Sequence, residues 1–221
     1  ALVLGAALDI LLGAWLLRRS GSRLQRVEAF AAVIVGGLAA TLTARAEMLD
    51  PERLSSGVFR YGKVSRENIR VSFYRDGKTA SIAIRSWPGA AVTITTNGKP
   101  DATIELDPDR PPSGDEHTMT LLGALPLLLK PDAKTIANIG FGSGLTAEVV
   151  LSHSGPRVLD TVEIEPAIVA GARSFFPRVI RPYRDRRSMV HFEDAKSFFA
   201  RHGSRYDVII SEPSNPWVNG V

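Results

Sequence analysis

The fold is decided by one stretch, Thr135-Ile-Ala-Asn-Ile-Gly-Phe-Gly-Ser-Gly144, in which five residues of strand type run into three closely spaced glycines. We expect a strand over 135–139, a glycine loop over 140–144 and a helix over 145–153. Glycines in such a loop permit a tight turn and let the backbone approach a ligand closely. The stretch therefore predicts a ligand-binding loop at the carboxyl end of a strand.

The chain around this loop alternates between strand patterns and helix patterns. Strands are predicted at 135–139, 158–164, 189–192 and 206–211, and helices at 116–130, 145–153, 166–176 and 195–202. Such alternation is typical of a parallel sheet covered by helices on both faces. We therefore expect residues 115–221 to form an α/β, Rossmann-like domain.

Residues 58–106 follow a period of two instead, which indicates half-buried strands. Asp76-Gly77 and Asn97-Gly98 each lie between two alternating segments. These dipeptides are strong hairpin signals, because the tight turn needs positive φ at both central residues. We predict a small antiparallel β domain over 58–106, joined to the α/β domain by a proline-rich linker over 107–114.

Residues 1–45 contain two apolar stretches, 1–17 and 27–44, separated by a basic link over 18–26. As helices they are about 25–27 Å long, close to the roughly 30 Å hydrocarbon layer of a membrane. We predict two transmembrane helices in a hairpin, followed by a linker over 46–57; the alternative is a buried helical hairpin in a soluble protein. The protein is thus expected to be an integral membrane protein with its catalytic part on the cytoplasmic side, although the four arginines of the link favour the opposite topology.

Composition excludes several classes of protein. Charged residues make up 23% of the chain and hydrophobic residues 44%, which excludes wholesale disorder. The absence of cysteine excludes disulfides and thiolate chemistry, and the four histidines lack the spacing of metal ligands, so we expect no metal. The net charge of +4 without a recognition motif gives no reason to expect nucleic acid.

Acidic residues lie near the ends of the second and third predicted strands. Glu163 follows the glycine loop by just over twenty residues, where a carboxylate can accept hydrogen bonds from ribose hydroxyls. Asp194 lies where an adenine amino group can donate. Because ligands of open α/β sheets bind at the carboxyl edge of the strands, we predict an adenosine-shaped site at this edge.

The sequence resembles the spermidine synthase family, whose members are aminopropyltransferases with the Rossmann-like fold of class I S-adenosylmethionine-dependent transferases. Its apolar N-terminus is similar to the membrane-fused branch of that family. The matching stretches are Phe73-Tyr-Arg-Asp-Gly-Lys-Thr79, Leu125-Pro-Leu-Leu128, Ile139-Gly-Phe-Gly-Ser-Gly144, Val162-Glu-Ile-Glu-Pro166, Glu193-Asp-Ala195 and Tyr206-Asp-Val-Ile-Ile210.

The resemblance implies a function in polyamine biosynthesis: transfer of an aminopropyl group from decarboxylated S-adenosylmethionine to an amine acceptor, without a metal. It implies that Glu163 holds the ribose, that Asp194 holds the adenine and that Glu212, at the fourth strand tip, acts as the catalytic base. The other cofactor-binding residues that it implies are Gly140, Gly142, Ser143, Gly144 and Ala195.

The chain departs from the family pattern at functionally important positions. Ser143 replaces a loop aspartate that faces the ammonium group of the decarboxylated cofactor, so we expect weaker discrimination against intact S-adenosylmethionine. The family's Tyr-His-Glu aligns with Thr118-Met119-Thr120, which removes amine-binding groups. Glu212 is one methylene longer than the family's catalytic aspartate.

Two alternative functions follow from these departures. Ser214-Asn-Pro-Trp217 matches three positions of the Asn/Asp/Ser-Pro-Pro-aromatic motif of amino-group methyltransferases. In that case Asn215 and Trp217 bind the acceptor, and intact S-adenosylmethionine is the methyl donor. The other alternative is a catalytically degenerate domain that senses a ligand for a membrane protein.

Further partners and the chain ends give additional expectations. The arginine-rich run 173–187 is expected either to contact anionic membrane lipid or to be a solvated surface, and a homo-oligomer is possible on this sequence. We also expect sequence before Ala1, because the chain does not open with Met, and after Val221, because the resemblance implies further strands.

Overall fold

The structure is a computed structural model of the 221-residue chain, and it describes residues 50–58, 62, 69–86, 91–203 and 205–212. Before these it describes scattered helical positions: 8, 10–15, 19, 27, 30–31, 33–38 and 41. The predicted transmembrane hairpin therefore lies largely outside the described residues. Among the positions that are described, no helix has both the length and the apolar character needed to cross a membrane.

Residues 51–221 form one compact unit, separate from residues 1–50. It opens with the short helix α1 (Pro51–Leu54), within the segment expected to be a linker. Four antiparallel strands follow and pair in the order of the chain: β1 (Arg70–Asp76), β2 (Ser81–Ser86), β3 (Ala91–Thr96) and β4 (Lys99–Glu105).

The two turns predicted for this small sheet, at Asp76-Gly77 and Asn97-Gly98, differ from each other. Asn97 and Gly98 have φ values of 49° and 75°, and the flanking Thr96 and Lys99 pair directly, so the tight turn predicted there is confirmed. The tight turn predicted at Asp76-Gly77 is wrong. Asp76 pairs with Ser81, and a four-residue loop over 77–80 connects them.

Hydrogen bonds at the base of the 77–80 loop account for this difference. Asp76 accepts hydrogen bonds from Tyr74 Oη (2.8 Å) and Ser81 Oγ (2.6 Å), which fixes the last pair of the ladder at Asp76 and Ser81. Within the loop, Gly77 N donates to Ala80 O across 2.9 Å. The loop therefore closes without a left-handed glycine at Gly77.

The second sheet is parallel and has the strand order β7-β6-β5-β8. Its strands are β5 (Thr135–Ile139), β6 (Val158–Glu163), β7 (Ser188–Phe192) and β8 (Val208–Ser211). The helices between and around them are α2 (Gly114–Leu129), α3 (Leu145–Ser152), α4 (Pro166–Gly171), α5 (Arg181–Arg184) and α6 (Ala195–His202). The predicted Rossmann-like α/β arrangement is confirmed.

The helix predicted over 166–176 is shorter than expected. It ends at Gly171 and continues as a 3₁₀ turn over Ala172–Phe175, in which Phe175 is fully buried. Pro177 follows, and a proline disfavours the helical conformation of the residue before it. The short helix α5, with Pro182 in its first turn, was not predicted.

Helix α2 begins with a capping box. Ser113 Oγ accepts from Glu116 N, and the Glu116 carboxylate accepts from Ser113 N across 3.0 Å. The same carboxylate accepts from Glu105 N (2.8 Å) at the end of β4 and pairs with Arg178 (2.6 Å). Glu116 thus links the small sheet to the α/β part of the molecule.

One hydrophobic core joins the two sheets. Ile82, Ile84 and Ile104 of the small sheet are fully buried against Phe141 and Phe175 of the α/β part. Burial of each such side chain contributes about 1.5–3 kcal/mol. The small sheet is therefore packed firmly beside the carboxyl ends of the parallel strands.

Candidate active site

A cavity of about 670 Å³ lies between these strand ends and the small sheet. Its volume is within the range of roughly 300–1,000 Å³ typical of small-molecule sites. Six of the predicted site residues line it: Gly140, Gly142, Glu163, Asp194, Ala195 and Glu212. The structure therefore brings together residues from four successive segments of the chain.

The glycine loop needs glycine at particular positions. Gly140 and Gly144 have φ values of 92° and 83°, in the left-handed region that disfavours side chains. A Cβ at Gly144 would also lie 2.9 Å from the Phe141 ring and from Val179. The loop is thus shaped by its own packing as well as by the cavity that it borders.

Ser143 is not part of the cavity lining. It is fully buried, its Oγ accepts from Leu145 N (3.2 Å), and the same Oγ lies 3.0 Å from Met119 Sδ. Gly144 also lies outside the lining and starts helix α3. At the positions expected to face the cofactor's tail, the loop therefore presents no charged group to the cavity.

Glu163 is buried at the tip of β6 and its carboxylate is held by backbone amides. Phe141 N donates to Oε2 across 2.8 Å, and Glu165 N donates to Oε1 across 2.9 Å. Burial raises the pKa of Glu163, although these amide hydrogen bonds oppose the shift. A carboxylate has about four lone-pair positions, so acceptor capacity remains for a hydroxyl group of a ligand.

Asp194 is the N-cap of helix α6, and its Oδ1 accepts from Ser197 N across 2.9 Å. This hydrogen bond is the main reason why the pKa of Asp194 is lowered. Asp194 is exposed at the cavity rim, beside Ala195. Its carboxylate is fixed in orientation and charged, as an acceptor for an amino group needs to be.

Glu212 directly follows β8, which neighbours β5 on the side away from β6, and it lines the cavity from there. Thr146 Oγ1 donates to Glu212 Oε2 across 3.1 Å. Burial raises the pKa of Glu212, the Thr146 hydrogen bond lowers it, and the negative charge of Asp115 raises it further. A carboxylate with a raised pKa is suited to accept a proton. Asn215 and Trp217 lie outside the described residues.

The small β domain is expected, from the family resemblance, to cover the amine site. The wall opposite the strand ends supplies the individual residues, which sequence reasoning missed. It is formed by the β3–β4 hairpin, the 77–80 loop and the start of α2, with Thr79, Lys99, Asp101 and Asp115 among its residues. Lys99 Nζ lies 3.4 Å from Asp101 Oδ1, and burial raises the pKa of Asp101. The Asn97-Gly98 signal predicts the hairpin itself, but nothing local in the sequence predicts that it packs over the glycine loop.

The described lining is strongly acidic. It contains one lysine, Lys99, and seven carboxylates: Asp101, Asp115, Glu163, Glu165, Glu193, Asp194 and Glu212. A cleft lined by one sign of charge concentrates ligands of the opposite sign. The cavity therefore favours a cationic ligand.

The arginine-rich run 173–187 mostly has protein partners. Arg178 pairs with Glu116, Arg181 with Glu148 and Arg187 with Asp185. Arg173 lies over the Tyr183 ring at 4.6 Å. Four of its six arginines thus stabilise the fold, which favours the interpretation as a structural surface over a lipid-binding one.

The described part of the chain contains no group of three or more acidic or histidine side chains that could hold a metal ion.

Comparison with known proteins places the α/β part in a family. Residues 116–220 match the family model described as the spermine/spermidine synthase domain. This part of the chain, just under half of its length, is therefore similar to the spermine/spermidine synthase domain. No finding tests its membership of the membrane-fused branch, which stays a prediction.

Curated relatives in the spermine/spermidine synthase family match a similar part of the chain. A polyamine aminopropyltransferase from Leptospira biflexa is 28% identical over 103 residues, which is 46% of this chain and 37% of the relative. One from Agathobacter rectalis is 32% identical over 92 residues, covering 42% and 32%. Spermidine synthase 1 from Datura stramonium is 34% identical over 94 residues, covering 42% and 30%. The match thus spans about a third of the length of these relatives.

Solved spermidine synthases share the fold. The enzyme from Thermotoga maritima superposes with a TM-score of 0.56 at 21% identity, over 66% of this chain and 48% of that one. A spermidine synthase in complex with the transition-state analogue AdoDATO gives 0.54 at 21% identity, over 65% and 47%. At this level of identity the likeness supports the fold alone.

Proposed function

We propose that this domain binds decarboxylated S-adenosylmethionine in the cavity and transfers its aminopropyl group to an amine acceptor. One observation carries the proposal: Glu163, Asp194 and Glu212 meet around a single acidic cavity at the edge of the parallel sheet. The match of residues 116–220 to the spermine/spermidine synthase domain supports it, and the curated relatives described above are named polyamine aminopropyltransferases or spermidine synthases.

The nucleoside half of the substrate fits the wall of strand ends. The Glu163 carboxylate, which Phe141 N and Glu165 N hold in place, keeps acceptor capacity for the ribose hydroxyls. Asp194 can accept the adenine amino group at the rim. Gly140 and Gly142 border the cavity without side chains, which leaves room for the sugar.

The acidic lining favours the decarboxylated over the intact substrate. Decarboxylated S-adenosylmethionine carries a sulfonium and an ammonium group, and both are stabilised by a wall of carboxylates. Intact S-adenosylmethionine adds a carboxylate, which the charges of Asp101 and Asp115 repel. Ser143 adds no charge to this discrimination, since it is neutral and lies outside the lining.

The chain's own contribution to the reaction centres on Glu212. The acceptor nitrogen must lose a proton before its lone pair can attack the propyl carbon next to the sulfonium. Glu212, with its raised pKa, takes that proton. The new N–C bond forms as the C–S bond breaks, and the sulfur leaves with the bonding electron pair as a neutral thioether.

Methyl transfer is the second candidate, and the neutral Ser143 favours it. Without a loop aspartate, the cavity loses one group that would repel the carboxylate of intact S-adenosylmethionine. The sequence Asn215-Pro-Trp217 is the expected acceptor contact in that case. A ligand sensor without turnover is the third outcome that the experiment below distinguishes.

Calorimetry and turnover on the full chain test the proposal. We expect tighter binding of decarboxylated than of intact S-adenosylmethionine, and release of 5′-methylthioadenosine when a panel of mono-, di- and triamines is added. Preference for the intact cofactor with methylated product would support methyl transfer instead. Binding without turnover on any amine would support the sensor, and absence of binding by either cofactor would refute all three.

We also propose, on the sequence alone, that residues 1–45 anchor the chain in a membrane with the catalytic part in the cytoplasm. Many of the described apolar side chains in this segment, including Leu11, Trp15 and Phe30, are at least half exposed, as side chains that face lipid would be, while Ile10 and Val33 are partly buried. Resistance of the full chain to alkaline extraction from membranes is the expected result. Protease accessibility in sealed vesicles would then report the side on which residues 51–221 lie.

A further inference from the structure

We infer that Glu165 is a positioning residue that fastens the small sheet to the nucleoside site. The inference rests on the proposed function, since it assigns Glu165 a part in holding the bound nucleoside. The element concerned is a clasp between Glu165, just after β6, and the 77–80 loop of the small sheet. No resemblance or motif reasoning assigned a role to this side chain.

The carboxylate of Glu165 is almost completely occupied by protein donors. Thr79 donates to Oε2 twice, from its backbone N (2.7 Å) and from Oγ1 (3.0 Å), and Ala167 N donates to Oε1 (3.0 Å). Glu165 is only 2% exposed. Burial alone would raise its pKa, but these hydrogen bonds outweigh burial and lower the pKa, so the clasp is made by a charged carboxylate.

Glu165 also orients the ribose-binding carboxylate. Its backbone N donates to Glu163 Oε1 across 2.9 Å. One residue therefore holds Glu163 through its main chain and the 77–80 loop through its side chain. Thr79, Ala80, Glu163 and Glu165 all line the cavity, so the clasp closes one side of it.

Gly77 shows how closely the loop approaches Glu165. A Cβ placed on Gly77 would lie 2.2 Å from Glu165 Oε1 and 2.3 Å from its Cδ. Gly77 has no left-handed φ, so alanine is compatible with its backbone, and the three atoms nearest to the added Cβ all belong to this carboxylate. Glycine is required here for close approach rather than for turn geometry, which explains why the Asp-Gly signal did not produce a tight turn.

We expect that loosening the clasp weakens nucleoside binding. If Glu165 no longer holds Thr79, the 77–80 loop moves away from the cavity, and if the Glu165 backbone shifts, Glu163 loses an amide donor. Gly77→Ala tests this without removing any charge or hydrogen-bonding group. Glu165→Ala removes the carboxylate itself, and in that background the Cβ of Gly77→Ala no longer meets it.

The experiment measures the affinity of the full chain for 5′-methylthioadenosine by calorimetry, with the melting temperature of each variant recorded alongside. We expect Gly77→Ala and Glu165→Ala each to weaken binding about tenfold, as loss of charge-assisted hydrogen bonds does. The double variant should bind no more weakly than Glu165→Ala alone. The matched control Gly114→Ala, whose Cβ would meet no atom within 4 Å, should bind like the wild type.

Two results would overturn the inference while the proposed function stands. In the first, the wild type binds the nucleoside and Gly77→Ala binds it equally well, whatever the melting temperatures. In the second, the effects of Gly77→Ala and Glu165→Ala add in the double variant, which means that they act independently. Absence of nucleoside binding by the wild type itself would instead refute the proposed function, and the inference with it.

Discussion

Thr146 donates a hydrogen bond to Glu212 across 3.1 Å, and this bond joins the first turn of α3 to the residue that follows β8. It is one of three influences on the pKa of Glu212, the others being burial and the charge of Asp115. A side chain proposed to take a proton is thus tuned by neighbours on two different helices.

The pH dependence of turnover should respond to both neighbours in opposite directions. Glu212 must be deprotonated to act as a base, so activity falls as the pH drops through its pKa. Thr146→Val removes a hydrogen bond that lowers this pKa, so the acid limb of the rate profile should move to higher pH. Asp115→Asn removes a negative charge that raises it, so the limb should move to lower pH. Initial rates between pH 5 and 9 measure both, and shifts of the same sign would contradict the assignment of Glu212.

Glu212→Gln should abolish turnover and yet stabilise the fold at alkaline pH. A folded-state pKa raised by burial means that the contribution of Glu212 to stability is fully present below its unfolded pKa and lost as the pH rises through its folded pKa. A neutral glutamine avoids that loss. We expect the melting temperature of the variant to exceed that of the wild type by a few degrees at pH 8, since about 1 kcal/mol corresponds to roughly 2–4 °C at this chain length. The difference in melting temperature between the variant and the wild type should disappear near pH 4. A variant that melts below the wild type at pH 8 would refute the argument.

Glu163→Gln should weaken cofactor binding by about 1–3 kcal/mol. Both oxygens of Glu163 accept backbone N–H groups, so an amide must turn its NH₂ group against one of these donors. Titration calorimetry with decarboxylated S-adenosylmethionine measures the loss, with Asp132→Asn, an exposed carboxylate outside the cavity lining, as the control. Unchanged affinity would remove Glu163 from the site.

Arg178→Met should destabilise the chain by about 1–3 kcal/mol at pH 7, because it leaves the buried Glu116 charge without its partner. Burial raises the pKa of Glu116, but amide hydrogen bonds from Glu105 and Ser113 and the Arg178 charge outweigh burial and lower it. The stability that Glu116 contributes is therefore present above its unfolded pKa and lost as the pH falls through its folded pKa.

The test is urea denaturation at pH 7 and pH 3. The difference between wild type and Arg178→Met should shrink at the lower pH, where Glu116 becomes protonated. Arg184→Met is the matched control, since Arg184 is an exposed arginine of the same run. A destabilisation of equal size in both variants would show that the ion pair contributes nothing specific.

Local signals predicted the parallel sheet closely. The bounds of β5 and α6 agree with the expectation residue for residue, because the strand runs into glycines and the helix is framed by Asp194 and the left-handed Gly203. The ends of parallel strands lie at one edge by topology, so Glu163, Asp194 and Glu212 were expected at one site. Their convergence needed no knowledge of long-range packing.

Long-range packing decided what the sequence did not predict. Ser143 occupies a motif position but is buried against Met119, a contact between residues 24 apart in the chain. The position of the 77–80 loop depends on the contact between Thr79 and Glu165, which are 86 residues apart in the chain. Asp101 and Lys99 reach the cavity only because the small sheet packs on the α/β core. Such placements depend on tertiary contacts, which local patterns do not encode.

The β3–β4 hairpin that covers the strand ends has an evolutionary consequence. Its side chains at Thr96, Lys99 and Asp101 can be exchanged without altering the register of the parallel strands, because the hairpin belongs to a separate sheet. Selection can therefore change the wall of the cavity that the hairpin forms, while the wall formed by the strand ends stays constant. The acceptor side of the cavity can diversify in this way through substitutions at a few hairpin positions.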